Sequence, residues 1–126
     1  MAGDNEVDTQ QPKTALVVEN TSTGSVLAVA LREAGWQVML CHRGRQALDS
    51  VRLQPWDAMV IGFRLIDMRG DAVAYAACAE RETLEGRILI LTDDAIGGET
   101  ARAAHFDWLP ATTPVEAIVT HLTQRP

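Results

Sequence analysis

The chain has 126 residues, 47% of them apolar, and a formal net charge of −6 at pH 7. That length serves one domain with a single buried core, and the acidic balance excludes a general affinity for nucleic-acid phosphates. The longest unbroken apolar run, Ala72 to Ala79, is far too short to cross a bilayer, and the acidic opening Met1-Ala2-Gly3-Asp4-Asn5-Glu6 is no secretory segment, so a cytoplasmic domain without direct membrane contact is expected.

Residues 1–13 are polar and without period, which predicts a disordered tail or linker ahead of one domain over 14–123. Ala15-Leu16-Val17-Val18 reads as a buried strand. Val26, Leu27, Ala30, Leu31 and Ala34 then recur at helical spacing, and Gly35 is placed to stop that helix. Trp36 to Cys41 predicts a second strand, Ala47, Leu48 and Val51 a second helix, and Ala58 to Ile61 a third strand. Asp71 to about Glu82 is an alanine-rich helix. Ile88-Leu89-Ile90-Leu91 is wholly apolar, as a central parallel strand covered on both faces must be. Glu99 to His105 leaves room for a short helix, and Asp107-Trp108-Leu109 for a short fifth strand. Thr113-Pro114-Val115-Glu116 combines an N-cap threonine, a proline at the first helical position and a capping-box glutamate, ahead of a last helix that buries Ile118, Val119 and Leu122.

Strands alternating with helices imply right-handed crossovers and a flavodoxin-like, doubly wound sheet of five parallel strands, (βα)5, in the order 2-1-3-4-5. Such sheets bind ligands at the carboxyl ends of the strands, beside the point where strand order reverses. That edge collects Glu19, Asn20, Gly62, Phe63, Thr92 and Asp93.

Several stretches share one pattern. They are Gly35-Trp36-Gln37-Val38 through Gly44-Arg45-Gln46-Ala47-Leu48 to Pro55-Trp56-Asp57, the run W-D-A-M-V-I-G-F-R-L-I-D-M-R-G over Trp56 to Gly70, Ile90-Leu91-Thr92, and Asp107-Trp108-Leu109-Pro110. Together they resemble bacterial response-regulator receiver domains, over nearly everything from Thr14 to Leu122. The resemblance implies a phosphorylation pocket of paired acidic residues that hold magnesium, an acceptor aspartate, a hydroxyl residue that senses the phosphoryl group, and a lysine. The matching positions are Glu19 with Asn20, Gly62, Thr92 and Ala111, and Thr92 alone keeps the family's residue type and place.

Glycine has no side chain to phosphorylate, and no lysine follows Lys13, the only lysine beside ten arginines. Magnesium demands near-octahedral oxygen ligands, and phosphoryl transfer needs metal and lysine to neutralise developing charge. The resemblance is therefore to a degenerate, pseudo-receiver form with neither metal nor cofactor. It implies a phosphorylation-independent protein-interaction domain of two-component signalling, standing alone or excised from a hybrid histidine kinase, with another signalling domain or protein as partner. Asp67, Asp93 and Asp94 lie in loops on the same edge, either as solvated acids that turn the chain or as substitute carboxylates.

From Thr92 to Ala111 the chain is a few residues shorter than the family usually has, with Gly97-Gly98 in the middle, which shortens the fourth helix. The face carrying Arg102, Trp108 and Pro110 is then remodelled or fixed in one state. Trp108 on it is either an interface anchor or an aromatic packed on the fourth helix.

Two other ligand classes have a sequence basis. Arg64, Arg69, Arg81 and Arg87, with Tyr75, fall around the third helix and the start of strand four. Arginine forks and a tyrosine ring suit an anionic nucleotide such as a cyclic dinucleotide, whereas exposed charges pairing with Glu80, Glu82 and Asp71 explain the same residues without a ligand. Thr21-Ser22-Thr23-Gly24-Ser25 resembles the phosphate loop of flavodoxins, which would suit a phosphate or flavin, against simple N-capping of the first helix. His42, His105 and His121 are scattered, Cys41 and His42 point to opposite faces, and no enzyme is expected. Cys41 and Cys78 have neither metal-ligand spacing nor a disulfide framework and read as reduced thiols.

Overall fold

Strands without a polar face need cover on both sides. The computed structural model, which describes residues 12–124, supplies that cover. Its strands are β1 (Thr14–Val18), β2 (Gln37–Cys41), β3 (Ala58–Gly62), β4 (Ile88–Leu91) and β5 (Asp107–Leu109), all parallel, in the order β2-β1-β3-β4-β5. The helices are α1 (Ser22–Glu33), α2 (Gly44–Leu53), α3 (Gly70–Glu80), α4 (Ala95–Ala103) and α5 (Val115–Thr123), with a 3-10 turn at Glu82–Leu84. The tail expected over residues 1–13 lies, up to residue 11, outside the described residues. Among the described residues no helix is long and apolar enough to cross a membrane.

The period of two along each strand divides the core between the sheet's faces. Leu16, Val18, Met59, Ile61, Ile88 and Ile90 face one way, against Ala47 and Val51 of α2, Val73, Ala74 and Ala77 of α3, and Ala101 of α4. Ala15, Val17, Ala58, Val60, Leu89 and Leu91 face the other way, against Leu27 and Leu31 of α1 and Ile118 and Leu122 of α5. Each large aliphatic side chain buried this way is worth about 1.5–3 kcal/mol, whereas an exposed ion pair contributes about 0–1 kcal/mol. The two apolar layers, not the surface ion pairs, hold the sheet.

Helix ends account for most departures from the sequence reading. Val26 and Ala34 are exposed, while Gly24 and Ala28 join Leu27 and Leu31 on the buried face of α1. The fourth helix starts at Ala95 rather than Glu99 and runs through Gly97-Gly98, because Asp94 caps it: Oδ1 accepts from the Gly97 amide at 2.5 Å. The predicted capping box of the last helix does not form. Pro114 stays extended at ψ 140, its carbonyl accepts from the Ala117 and Ile118 amides at 2.9 and 3.1 Å, and Thr113 is left one position outside the turn.

Two helices end in the same left-handed device. After α1 the Gly35 amide donates to Arg32 and the Trp36 amide to Leu31; after α4 the His105 amide donates to Arg102 and the Phe106 amide to Ala101. Gly35 takes the required φ of 98° freely, whereas His105 takes 63° with a side chain attached.

Candidate functional site

The sheet ladder brings the carboxyl edge together. Gly62 closes β3 opposite Leu91, Glu19 follows β1, and Thr92 follows β4. The Glu19 amide donates to the Cys41 carbonyl at 2.9 Å, Phe63 to Leu91 at 3.0 Å, and Thr92 to Leu109 at 3.1 Å. A cleft of ≈ 350 Å³ opens there, lined by Glu19, Thr92, Asp93, Asp94, Arg64 and Ala111 among others. The predicted positions Glu19, Gly62, Thr92 and Ala111 thus share one edge.

The Glu19 side chain turns into the volume that a side chain on Gly62 would use. A Cβ built on Gly62 would lie 2.5 Å from Glu19 Oε2, 2.8 Å from its Cδ and 2.9 Å from Oε1. Glu19 is only 7% exposed, and its Oε1 accepts from the Asn20 amide at 2.9 Å. Asn20 Oδ1 is buried without a hydrogen-bond partner among the described residues. Thr92 is buried as well: its hydroxyl accepts from the Asp94 amide at 3.3 Å, and a Cβ on Gly97 would collide with Thr92 Oγ1 and lie 3.0 Å from the Phe63 ring. Helix α4 therefore rests directly on Thr92, while Ala111 adds only a methyl group to the edge.

The loop acids are each engaged in turns or helix caps. Asp67 reaches across to α2, where Oδ1 accepts from the Gly44 amide at 2.9 Å and Oδ2 from Arg45 at 3.0 Å. The Arg45 amide, then that of Gly44, holds its carboxyl below the usual range. Asp94 caps α4 and pairs with Arg64 at 2.8 Å; its carboxyl is lowered chiefly by the Gly97 amide. Asp93 accepts from the amide and hydroxyl of Thr112 at 3.2 and 3.3 Å.

The arginines named for a nucleotide do not form one site. Arg64 and Arg69 flank the Phe63 ring, 5.4 and 5.5 Å from its centroid, and pair with Asp94 and Asp71 respectively. Arg81 donates to the carbonyls of Val51 at 2.6 Å and Arg52 at 3.3 Å, closing the C-terminal end of α2. Arg87 lies beside Trp56 and Asp57 at the amino end of the sheet, and Tyr75 packs edge-to-face on Phe106. Of the expected acid partners, Asp71 pairs with Arg69, while Glu80 pairs with Arg52 at 3.0 Å. Thr21 occupies the N-cap position of α1 without a side-chain bond, and a Cβ on Gly24 would lie 2.9 Å from that of Glu19, so the Thr21 to Ser25 segment packs against the edge.

Trp108 packs on the fourth helix: a Cβ on Gly98 would lie 3.0 Å from two of its ring carbons. Arg102 is exposed in the last turn of α4, and Pro110 is exposed just past β5. The two roles unforeseen in the sequence are the remote caps. Asp67 and Arg81 close opposite ends of α2 from 23 and about 30 residues away, with the charges its dipole favours. No local spacing signals such a partner.

No family model matches the chain. It is 30% identical over 118 residues to a probable transcriptional regulatory protein, TcrX, of Mycobacterium tuberculosis (strain ATCC 25618 / H37Rv), covering 89% of this chain and 49% of that protein. The chain thus spans about half the length of the curated relative it matches. A CheY-like response regulator receiver domain protein from Methanospirillum hungatei JF-1 superposes with a TM-score of 0.82 at 14% identity, over 90% of this chain and 93% of that one. The receiver domain of sensor histidine kinase PA1611 from Pseudomonas aeruginosa PAO1, with a magnesium ion coordinated in its active-site cleft, superposes with a TM-score of 0.76 at 24% identity, over 90% and 97%. The chain has the CheY-like receiver fold.

The residues at this edge do not fit a magnesium centre of that kind. Glu19 turns its carboxylate toward Gly62, its neighbour Asn20 supplies a neutral amide, and the other carboxylates lining the cleft are engaged elsewhere, Asp94 by the Gly97 amide and Arg64 and Asp93 by Thr112. Among the described residues no group of three or more His, Cys, Asp or Glu is placed to hold a metal.

Proposed function

We propose that the chain is a phosphorylation-independent regulatory domain of bacterial two-component signalling, a receiver fold held in one state that acts in the cytoplasm by docking to another signalling domain or protein. The observation that carries this reading is the Glu19 carboxylate lying where a side chain on Gly62 would be. The acceptor position is both empty of a carboxylate and filled by a neighbour's. The CheY-like fold and the regulatory relative support the signalling context.

The chemistry is absent at three linked points. Gly62 offers no nucleophile, Asn20 no second carboxylate, and Ala111 no cation for phosphoryl oxygens. Thr92, the residue that would follow a phosphoryl group, is packed under Gly97 of α4, and its hydroxyl accepts from the Asp94 amide at 3.3 Å. That packing supports α4 and Trp108 keeping one position. Regulation then comes from docking and release, whose extent is set by a partner's differential affinity.

Amide NMR with magnesium and beryllofluoride, a phosphoryl mimic, tests the reading. Unchanged resonances around Glu19, Phe63 and Thr92 are the expected result. Saturable shifts centred on those three residues would overturn it.

A further inference from the structure

At the opposite end of the sheet, ahead of β4 and β5, a second cleft of ≈ 360 Å³ is lined by Tyr75, Cys78, Glu85, Ala104, His105 and Phe106. Tyr75 meets Phe106 edge-to-face, with centroids 6.1 Å apart and planes at 84°, yet remains 69% exposed. Much of its ring is therefore available to a ligand. The exposed Glu85 carboxylate makes no salt bridge or hydrogen bond among the described residues, a property it shares with Glu33, Glu82, Glu99 and Glu116, but of these Glu85 is the one that lines this cleft. Its field reaches the cleft: burial, and after it the Glu85 charge, pushes the Cys78 thiol pKa up. His105 forms part of the rim in a left-handed conformation that glycine would take without strain, as Gly35 does in the equivalent turn.

We propose that this cleft receives an arginine side chain of a partner protein, with the guanidinium on the Tyr75 ring and paired with Glu85, and the methylene stem along Cys78, Ala104 and Phe106. A flat guanidinium stacks on an aromatic face and bonds a carboxylate through two N–H groups at once, which a lysine ammonium cannot do. The stem matches the apolar floor. The charge of −6 attracts basic partners generally, and an unpaired carboxylate in an aromatic cleft gives that attraction a place to act. The same carboxylate disfavours an anionic nucleotide here. The cleft lies at the amino end of the strands, away from Gly62 at the carboxyl end.

The test is an amide NMR titration with N-acetyl-arginine methylamide, with the citrulline analogue as the uncharged control of equal shape. Saturable shifts at Tyr75, Cys78, His105 and Phe106 with the arginine probe, and about tenfold weaker binding of citrulline, are expected. Glu85→Gln and Tyr75→Ala should each raise the arginine Kd about two- to fivefold while the remaining spectrum keeps its native dispersion. His105→Gly removes part of the rim yet raises the urea midpoint, so weaker binding in that variant is not loss of fold. Equal response to citrulline, shifts only elsewhere, or unchanged affinity in the Glu85 and Tyr75 variants would overturn the proposal.

Discussion

Glu19 and Gly62 share one volume: the carboxylate of the first lies 2.5 Å from where the Cβ of the second would be. Gly62→Ala should therefore cost only about 0.5–1.5 kcal/mol, since just the far end of the Glu19 side chain, which borders the cleft, must swing aside to admit one methyl group. In a Glu19→Ala background the same substitution should cost markedly less. Urea midpoints of the four proteins in this cycle give the coupling directly. Additive costs would mean that the two residues do not compete for space. By the same geometry, Gly62→Asp alone places two carboxylates in one site and is more destabilising than Gly62→Ala.

Helix α2 depends on two caps supplied from elsewhere in the chain. Asp67→Ala frees the Gly44 and Arg45 amides and should cost about 1 kcal/mol; Arg81→Ala frees the Val51 carbonyl and should cost about 1–2 kcal/mol. Hydrogen exchange should rise first in α2 in both variants. Exchange that rises uniformly would place the effect elsewhere.

Acid should weaken the fold through named carboxylates. Asp67, Asp71 and Asp94 all ionise below the usual range, chiefly through the Arg45 amide, the Arg69 guanidinium and the Gly97 amide respectively. A depressed folded pKa means the unfolded chain binds protons first. The stabilisation is thus complete above about pH 4, the ordinary aspartate value, and is lost as pH falls through the lowered folded values. Unfolding midpoints measured downward from pH 5 should fall, and Asp67→Asn should flatten part of that slope. A slope unchanged in Asp67→Asn would remove this residue from the account.

Adjacent glycines in α4 should differ in their tolerance. Gly97→Ala drives a methyl into buried Thr92 and Phe63 and should destabilise despite alanine's helix-propensity advantage of about 1 kcal/mol. Gly98→Ala meets only the edge of a partly exposed Trp108 ring at 3.0 Å and should be tolerated better, with a shift in tryptophan fluorescence. Thermal midpoints decide the order. Equal tolerance would mean that α4 can lift away from Thr92, and with it that Thr92 is free to move.

The strand runs, the sheet order and the edge shared by Glu19, Gly62, Thr92 and Ala111 were legible because they follow from apolar period and parallel topology. Side-chain direction was not. Nothing in the spacing of Glu19 and Gly62 shows that a longer carboxylate would fold into the glycine's space. Local rules misled at the helix ends, where Pro114 rather than Thr113 takes the N-cap position and no side-chain cap forms, and where Gly97-Gly98 hid a helix already capped by Asp94. His105 looked solitary because the residues around its cleft, Tyr75, Cys78 and Glu85, come from 20 to 30 positions away.

Phosphorylation independence is decided by the intact mass of the protein after incubation with magnesium and a small-molecule phosphodonor such as acetyl phosphate. The mass should stay unmodified under conditions that label an ordinary receiver domain. A stoichiometric, hydrolysable phosphoryl adduct on Glu19, Asp93 or Asp94 would contradict it and return this edge to active chemistry.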